Sequence, residues 1–456
     1  MRRFISALLF LIAFLHGQDN NVFISRRIQL FNNLNKPFVL AICSGKDLGE
    51  ETEKPYPFFP ESNFFYLSGL SVPSTLLMIS SEPLLSSDTS NAILLVPALS
   101  RRYFTWNTNA WDKEQLKSIS GISSIYRIDE IPVDTIIERT IRIGQVAYLQ
   151  PPTGCLNTSS YFFTAVNDFQ KLIGVLDSLS VEMFSEQVTG TLTRMREIKN
   201  QEEINFLTRA AQITCGAIEK LLRVIQNDLA EEEISSIFKS LVYSQNATIC
   251  FEPIIASGPN TLILHHHSGK RKPQKGELIL MDVGAYYNGY CVDMTRTFPF
   301  SGSFTPQQDT IYRIVLEALR KAISSIVIGR EVTYIHSVVI KTLQEELLKR
   351  KIIREPQKIY SLMPHASFHS IGIDVHEKSE SGVFRPGQVF AIEPGIYIKQ
   401  DSTIPPQWWN IGIRIEETVL ITEAGVEILT SCIPSAPEKI SALLNKKHEI
   451  TIKVAK

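Results

Sequence analysis

The stretch 281–298, MDVGAYYNGYCVDMTRTF, is apolar and aromatic enough to be buried, yet it carries two aspartates, Asp282 and Asp293. Asn288 and Gly289 interrupt it between two apolar runs. An Asn-Gly pair at such a place predicts a β-hairpin with a type I′ turn, because both central residues of that turn need positive φ. The sequence therefore predicts a hairpin with one carboxylate on each strand.

The register of this hairpin puts the two carboxylates on one face. Pairing outward from the turn sets Asp282 opposite Thr295 and Asp293 opposite Gly284, and residues two apart on a strand share a face. Two like charges held that close raise one pKa and lower stability unless a cation neutralises them. Surface aspartates that flank a turn are the alternative interpretation.

Three more stretches place polar side chains in strand-like segments. VFAIEPGIYI has Glu393 at the end of an apolar run, and IGIRIEETVLIT alternates so that Arg414 and Glu416 share a face. MPHASFHSIGIDVHE contains His365, His369 and His376. Each segment alone has an ordinary explanation, since such histidines are usually hydrogen-bonded core residues and an alternating glutamate usually faces solvent.

Together these residues indicate a metal centre. Four acids, Asp282, Asp293, Glu393 and Glu416, occur with one or more histidines on strand-like segments of one domain. Two divalent cations would bring four positive charges to these carboxylates. A carboxylate-rich set with one imidazole favours hard or borderline ions such as manganese over a zinc site made only of Cys and His.

The elements that must position these residues form two domains. A chain of 456 residues suggests two or three domains rather than one. A helix, RRIQLFNNL, precedes short apolar runs such as PFVLAICSG, TLLMIS and AILLVPAL, which suit strands buried in a mixed sheet. Residues 18–185 are therefore predicted to form an α/β domain.

A second domain is predicted over residues 190–440, with a C-terminal tail over 441–456. Asn200 and Glu203 have capping-box-like spacing at the start of an amphipathic helix, and further helical segments follow. Strand-rich segments occupy 251–265, 277–298, 387–398 and 411–422. Helices laid on an antiparallel sheet would make this an α+β domain.

Composition adds little. The 46 Lys and Arg nearly balance the 47 Asp and Glu, which gives no indication of nucleic-acid binding. The cysteines are widely scattered and form no CxxC pair, so they are interpreted as buried free thiols rather than a disulfide framework. They are Cys43, Cys155, Cys215, Cys250, Cys291 and Cys432.

The sequence resembles the pita-bread metallopeptidases, and among them the Xaa-Pro aminopeptidases (aminopeptidase P). The hairpin aspartates have the family's spacing of eleven residues, and HASFHSIGIDVHE, IEPGIYI and GIRIEETVLIT follow in the family's order. YPFFPESNFFYLSGL, residues 56–70, is similar to the family's N-terminal domain. The resemblance covers nearly the whole chain after residue 22. It implies an α/β N-terminal domain and a catalytic domain with helices on a curved antiparallel sheet.

The resemblance implies two divalent metal ions per chain, manganese first, with zinc and cobalt as alternatives. Asp293 and Glu416 would bridge the two ions, and Asp282 would bind one of them. His369 and Glu393 would complete the ligand set. A bridging hydroxide would be the nucleophile, because metal coordination lowers the pKa of bound water.

The resemblance also implies catalytic and substrate-binding residues. Glu393 would pass the nucleophile's proton to the leaving nitrogen. His265 and His376 would hydrogen-bond the substrate carbonyl and the developing oxyanion. His365 and Arg414 would line the substrate side, and Arg414 would orient a metal-bound carboxylate. The implied substrates are peptides with proline at the second position, and the family implies a homo-oligomer, a dimer or tetramer.

The sequence departs from the family pattern in four places. Ala366 replaces the usual glycine after the first histidine of its motif, and Ser370 replaces a large residue after the metal histidine. Phe251 stands where a bacterial aminopeptidase has tyrosine. The triplet His265 to His267 leaves the register of the catalytic histidine open by one position. None of these departures removes a metal ligand.

Prolidase, which cleaves Xaa-Pro dipeptides, is the main alternative. It must bind a free carboxylate directly after the proline, which takes a fixed cation, and no motif besides Arg414 offers one. Residues 404–430, IPPQWWNIGIRIEETVLITEAGVEILT, look closer to aminopeptidase P. A non-enzymatic pita-bread protein would be expected to lack a ligand, and methionine aminopeptidases lack so large an N-terminal α/β domain.

Residues 1–17 resemble a secretory signal peptide. Arg2 and Arg3 precede an apolar run from Phe4 to Leu15, which is short for a membrane span. Leu15 stands where a small residue favours cleavage, so an uncleaved anchor is the alternative. We expect an exported protein, secreted or periplasmic, and a cytoplasmic protein is the other possibility.

This interpretation predicts removal of the N-terminal segment near residue 17, because signal cleavage removes the basic and apolar regions together. Mass spectrometry of the native protein should find a mature chain that starts near that position. A chain that begins at Met1 in the cytosolic fraction would contradict export.

Overall fold

The computed structural model describes residues 20–46, 58–85, 90–101, 112–150, 154–155, 163–225 and 228–445. The predicted signal peptide and the end of the predicted tail, from residue 446, lie outside these ranges. The chain divides into two compact units, Met1–Arg196 and Glu197–Lys456. Among the described helices, none combines the length and the apolar character needed to cross a bilayer.

The first unit contains the predicted α/β elements. They are α1 (Asn20–Leu34), β1 (Val39–Cys43), α2 (Ser62–Ser68), β2 (Leu76–Ser80), β3 (Ala92–Val96), β4 (Ala98–Leu99), α3 (Lys113–Ser120), β5 (Ser124–Arg127), α4 (Val133–Ile143), β6 (Val146–Leu149), β7 (Phe163–Thr164), α5 (Val166–Leu179) and α6 (Glu182–Glu197). The sequence analysis placed the domain boundary at residues 185–190, and α6 continues across that position.

The main sheet of the first unit has the strand order β5-β3-β2-β1-β6. The pairs β1–β6 and β3–β5 are parallel, whereas β1–β2 and β2–β3 are antiparallel. The central strands β1 and β2 are buried along their whole length, as expected for continuous apolar runs covered on both faces. The prediction of a mixed sheet is therefore confirmed.

The second unit alternates helices with short strands. Its elements are α7 (Gln201–Leu222), α8 (Glu231–Tyr243), β8 (Thr248–Ile249), β9 (Ile254–Ser257), β10 (Leu278–Val283), β11 (Ala285–Tyr287), β12 (Tyr290–Cys291), β13 (Met294–Pro299), α9 (Pro306–Ser324), α10 (Tyr334–Lys349), α11 (Ile359–Leu362), β14 (Phe368–Ser370), β15 (Val389–Ile392), β16 (Gly395–Ile398), β17 (Ile411–Arg414), β18 (Glu417–Thr422), β19 (Gly425–Ile428) and α12 (Pro437–Leu444).

The strand ladders in the described part of the second unit are antiparallel, with orders β13-β10-β9, β12-β11-β8, β14-β15-β18-β19 and β16-β17. One apolar core joins these strands to helices α7 to α10. The α+β prediction is therefore confirmed. Asn200 caps α7 by accepting from the Glu203 backbone N–H at 3.0 Å, while the Glu203 carboxylate accepts from the Asn200 N–H at 2.9 Å.

The hairpin has the predicted register. Asn288 and Gly289 both have positive φ, 47° and 91°, and Asp282 lies opposite Thr295. The ladder breaks at Gly284, where a Cβ atom would lie 1.9 Å from a backbone carbonyl oxygen of the facing strand. Only glycine permits that approach, so the break that separates β10 from β11 depends on it.

The prediction of free thiols was wrong, because the structure pairs all six cysteines. The disulfides are Cys43–Cys155, Cys215–Cys432 and Cys250–Cys291. Their Cα–Cα distances of 5.5, 6.1 and 5.5 Å lie in the usual range for disulfides. The partners are 112, 217 and 41 residues apart, so the fold brings them together and local spacing carried no signal.

We expect peptide mapping without reductant to recover these three cross-linked pairs and no free thiol in the native protein. Closing a loop of 217 residues should stabilise the fold by about 5 kcal/mol in the chain-entropy description. Reduction, or the double variant Cys215→Ser/Cys432→Ser, should therefore lower the melting temperature. Titration of about six thiols in denatured, unreduced protein would contradict the pairing.

Candidate active site

One cavity of about 660 Å³ in the second unit collects the site residues that the sequence indicated. All nine line it: His265, Asp282, Asp293, His365, His369, His376, Glu393, Arg414 and Glu416. They come from segments that are up to 151 residues apart along the chain. The fold thus brings the whole predicted set together.

The four carboxylates enter the cavity from strand ends. Asp282 lies near the end of β10, Asp293 directly before β13, Glu393 directly after β15, and Glu416 directly before β18. Carboxylate oxygens of Asp282, Asp293 and Glu416 lie within 4.8 Å of one another. The buried Oδ1 atoms of Asp282 and Asp293 have no hydrogen-bond partner among the described residues. Such orphaned acceptors are suited to bind a cation.

Repulsion and burial change the acidity of this cluster. Burial, and then the charges of Glu416 and Asp282, raise the pKa of Asp293 well above its ordinary value. Burial, and then the charge of Glu416, raise the pKa of Glu393 to about 8. A bound divalent cation reverses this effect because it stabilises the ionised form of each carboxylate.

His369 faces three of these carboxylates. Its Nε2 lies 3.6 Å from Asp293 Oδ2, 3.8 Å from Glu416 Oε1 and 4.0 Å from Glu393 Oε1. Its Nδ1–H donates to the Ser370 carbonyl at 3.2 Å, which leaves Nε2 free as a ligand atom. The oxygen-rich set with one imidazole fits divalent cations held by the five residues that the sequence indicated.

Arg414 links two of the carboxylates. Its Nη2 donates to Asp282 Oδ2 at 2.5 Å, and its Nη1 donates to the Tyr397 hydroxyl at 2.8 Å. Its Nε donates to Thr295 Oγ1 at 3.1 Å, and that hydroxyl donates to Glu416 Oε2 at 2.7 Å. The sequence analysis did not single out Tyr397 or Thr295, although the hairpin register had already set Thr295 opposite Asp282.

His365 lies beside the carboxylates as a neutral imidazole. Its Nδ1–H donates to the Ala366 carbonyl at 2.7 Å, and its Nε2 accepts from the Tyr397 hydroxyl at 3.1 Å. Burial lowers the pKa of His365 to about 4. Its Nδ1 is 3.6 Å from Glu393 Oε2, so it lines the cavity next to that carboxylate.

His376 stands at the exposed side of the site. Its ring centroid is 4.3 Å from that of His369, nearly perpendicular to it. Burial lowers the pKa of His376, and the charges of His369 and His265 lower it further. Ligand atoms of His376, His369 and Asp293 lie within 4.8 Å of one another, so His376 is also within reach of a cation.

A buried ion pair supports the loop between His369 and His376. Lys199 Nζ donates to Glu377 Oε2 at 2.7 Å, with side chains only 1% and 3% exposed. Glu377 also accepts from the Ile373 backbone N–H at 3.2 Å. Sequence reasoning missed this pair, since no periodicity connects two residues so far apart.

Two family models match the chain. The model of metallopeptidase family M24 matches residues 205–423, and the model of the aminopeptidase P N-terminal domain matches residues 23–142. Residues 205–423 therefore form a domain of metallopeptidase family M24. This domain and the Xaa-Pro aminopeptidase relatives confirm the prediction of a metallo-exopeptidase.

Known proteins similar to the chain match it over nearly its full length. A Xaa-Pro aminopeptidase of Haemophilus influenzae is 28% identical over 95% of this chain and 99% of its own. The mitochondrial intermediate cleaving peptidase 55 of Arabidopsis thaliana is 27% identical over 89% of this chain and 79% of its own. The solved structure of proline aminopeptidase P II from Yersinia pestis has a TM-score of 0.80 at 24% identity and covers 94% and 99% of the two chains. The expected pita-bread fold is confirmed.

Removing bound metal should destabilise the protein. Without a cation the clustered carboxylates repel one another, and a cation bound only by the native state stabilises it by about 2.7 kcal/mol at a hundredfold excess over Kd. Chelation should therefore lower the melting temperature by several degrees, and manganese should restore it. The measurement is a melting curve before and after metal removal, verified by elemental analysis.

Asp293→Asn replaces a ligand, which repels its neighbours when ionised, with a neutral amide. We expect its metal-free form to melt at or above metal-free wild type, with no increase on adding manganese. Glu423→Gln makes the same charge change on an exposed turn and should keep the wild-type response. A normal metal response in Asp293→Asn would contradict the site, as would an unchanged wild-type curve after verified metal removal.

Proposed function

We propose that the chain is a dinuclear-metal aminopeptidase that releases the N-terminal residue from peptides with proline at the second position. The observation that carries the proposal is the convergence of four carboxylates and His369 in one cavity that five further histidines also line. The name of the relative from Haemophilus influenzae, Xaa-Pro aminopeptidase, supports the proline specificity.

Two divalent cations would be held by Asp282, Asp293, His369, Glu393 and Glu416. We propose manganese as the native ion, with zinc and cobalt as alternatives, because four carboxylates and one imidazole favour hard or borderline ions. When bound, such ions supply a nucleophilic hydroxide near neutral pH by lowering the pKa of coordinated water.

Among the four carboxylates, Glu393 is best placed to move a proton. Its side chain is 20% exposed, whereas those of Asp282, Asp293 and Glu416 are 13%, 8% and 2% exposed. A carboxylate that reaches the substrate side can take the proton of the nucleophile and deliver it to the leaving imino nitrogen.

The histidines around the cavity would act on the substrate carbonyl. His376 and His265 line the same cavity as the carboxylates, and ring N–H groups directed at the carbonyl oxygen would stabilise the charge that develops there. His365, whose lowered pKa keeps it neutral, would form a wall of the pocket rather than a cationic anchor.

The charges around the cavity favour peptides longer than a dipeptide. Among the described residues that line it, Arg414 is the only Lys or Arg. Its guanidinium already donates to Asp282, Tyr397 and Thr295, and its side chain is 5% exposed. A prolidase needs a cation for the carboxylate after the proline, and Arg414 is not available for that purpose.

We also propose that the protein is exported. Disulfides persist mainly in oxidising compartments, and the three described cysteine pairs support the signal-peptide interpretation of residues 1–17. A homo-oligomer, dimer or tetramer, is proposed from the family resemblance alone, and light scattering of the purified protein would test it.

The substrate proposal is tested by kcat/KM on matched Xaa-Pro and Xaa-Pro-Yaa peptides in manganese buffer. We expect the tripeptides to be cleaved at least about tenfold better and Xaa-Ala-Yaa to be slower. Asp293→Asn should cleave none, because it lacks one of the carboxylates that would hold the cations. A clear preference for dipeptides would assign the chain as a prolidase. Failure to cleave either by metal-loaded protein would favour a non-enzymatic role.

A further inference from the structure

Glu231, at the start of α8, is a buried carboxylate outside the metal cluster. It is 0% exposed. Its Oε1 accepts from the Ser257 backbone N–H at 2.7 Å, the Ser257 hydroxyl at 2.6 Å and Asn260 Nδ2 at 3.0 Å. Its Oε2 lies 2.7 Å from His266 Nε2 and accepts from the Gly269 N–H at 3.4 Å.

The charge state of Glu231 fixes the tautomer of His266. Burial raises the pKa of Glu231, but hydrogen bonds from Ser257, His266 and Asn260 outweigh burial, and the net pKa is lowered. Glu231 is therefore ionised at neutral pH. A carboxylate only accepts hydrogen bonds, so His266 must donate its Nε2–H.

The backbone at the start of α8 also holds the loop at residues 265–271, which contains His266. The Glu231 N–H donates to the Arg271 carbonyl at 2.9 Å, and the Glu232 N–H donates to the Gly269 carbonyl at 3.0 Å. These bonds satisfy helix N–H groups that would otherwise lack partners. The Ser268 hydroxyl accepts a backbone N–H of β9 at 3.0 Å. The histidine triplet is thus attached to α8 and β9 through the residues that follow it.

All three members of the triplet line the cavity, but they differ in exposure. The side chain of His266 is only 13% exposed, whereas His265 and His267 are exposed. Within the described structure, the ring of His265 makes no hydrogen bond that would orient it. The orientation of the His265 ring therefore depends on the position of its backbone. The hydrogen bond between the adjacent His266 side chain and the Glu231 carboxylate fixes that position.

We propose that Glu231 is a positioning residue that acts through His266 to direct His265 into the cavity that His376 also lines. The proposal rests on the proposed aminopeptidase function for the role of His265. It also excludes His266 from the substrate carbonyl, because His266 is committed to Glu231. Of its two exposed neighbours, the family resemblance selects His265.

Kinetics of His266 variants test this role. His266→Ala should lower kcat by about tenfold or more with little change in KM, because an oriented donor acts mainly on the transition state. His266→Gln keeps a side-chain N–H donor and should recover much of the rate. Lys270→Ala, an exposed change in the same loop, should match wild type. Metal content and melting temperature are measured on each variant.

A second measurement does not depend on activity. Diethylpyrocarbonate modification, mapped by mass spectrometry, should leave His266 protected in wild type and label it in Glu231→Gln, while His265 and His267 are labelled in both. If wild type cleaves no Xaa-Pro peptide, the proposed function fails, but this labelling still decides whether Glu231 holds His266.

Three outcomes would overturn the proposal. The first is equal labelling of His266 in wild type and Glu231→Gln. The second is a normal kcat in His266→Ala of an active enzyme. The third is a loss of activity in His266→Ala that is matched by loss of bound metal, since that would make the contact structural rather than positioning.

Discussion

The repulsion among four carboxylates inside one sheet-lined cavity is the constraint on which the catalytic unit depends. Oxygens of Asp282, Asp293 and Glu416 lie within 4.8 Å of one another. Two unit charges at such a distance repel by about 3 kcal/mol at the effective dielectric of protein sites. Arg414 offsets one of the charges. The remaining charge is relieved by protons or cations, and the match of residues 205–423 to metallopeptidase family M24 implies divalent cations.

The backbone that carries these carboxylates must be rigid enough to hold them close together when no cation is bound. Arg296 is fully buried behind the cluster, where it donates to the Glu416 carbonyl at 2.6 Å and to the Glu417 carboxylate at 2.5 Å. The Thr297 hydroxyl donates to the Arg414 carbonyl at 2.9 Å. These bonds fix the backbone between β17 and β18. The carboxylate of Glu416 therefore has little freedom to move away from the other acids of the cluster.

The parts of the site that follow from local rules were predictable. The Asn-Gly turn and the two-residue period of strands set Asp282 opposite Thr295, and the apolar run of β15 placed Glu393 at a strand end. The disulfides and the contacts of Tyr397 and Glu231 were not predictable. Each joins segments that only the tertiary fold brings together, and neither spacing nor periodicity records such a contact.

The same distinction explains why the histidine triplet could not be resolved from sequence. Its three members are chemically identical, so the choice among them depends on a buried partner 35 residues away in the chain. The fold supplies that partner at the start of α8, where a carboxylate is also favoured by the helix dipole.

The Cys250–Cys291 disulfide extends this rigidity to the substrate side of the cavity. Cys291 lies two residues before Asp293, and Cys250 directly precedes Phe251, which lines the cavity. The Cys250 N–H donates to the Gly284 carbonyl at 2.9 Å, so the two segments are joined by a covalent bond and a backbone bond. A pocket wall fixed to the hairpin would hold a bound peptide at a constant position relative to the carboxylates, and errors of about 1 Å in that position are costly for catalysis. Phe251 and the hairpin at 281–298 are therefore expected to move together.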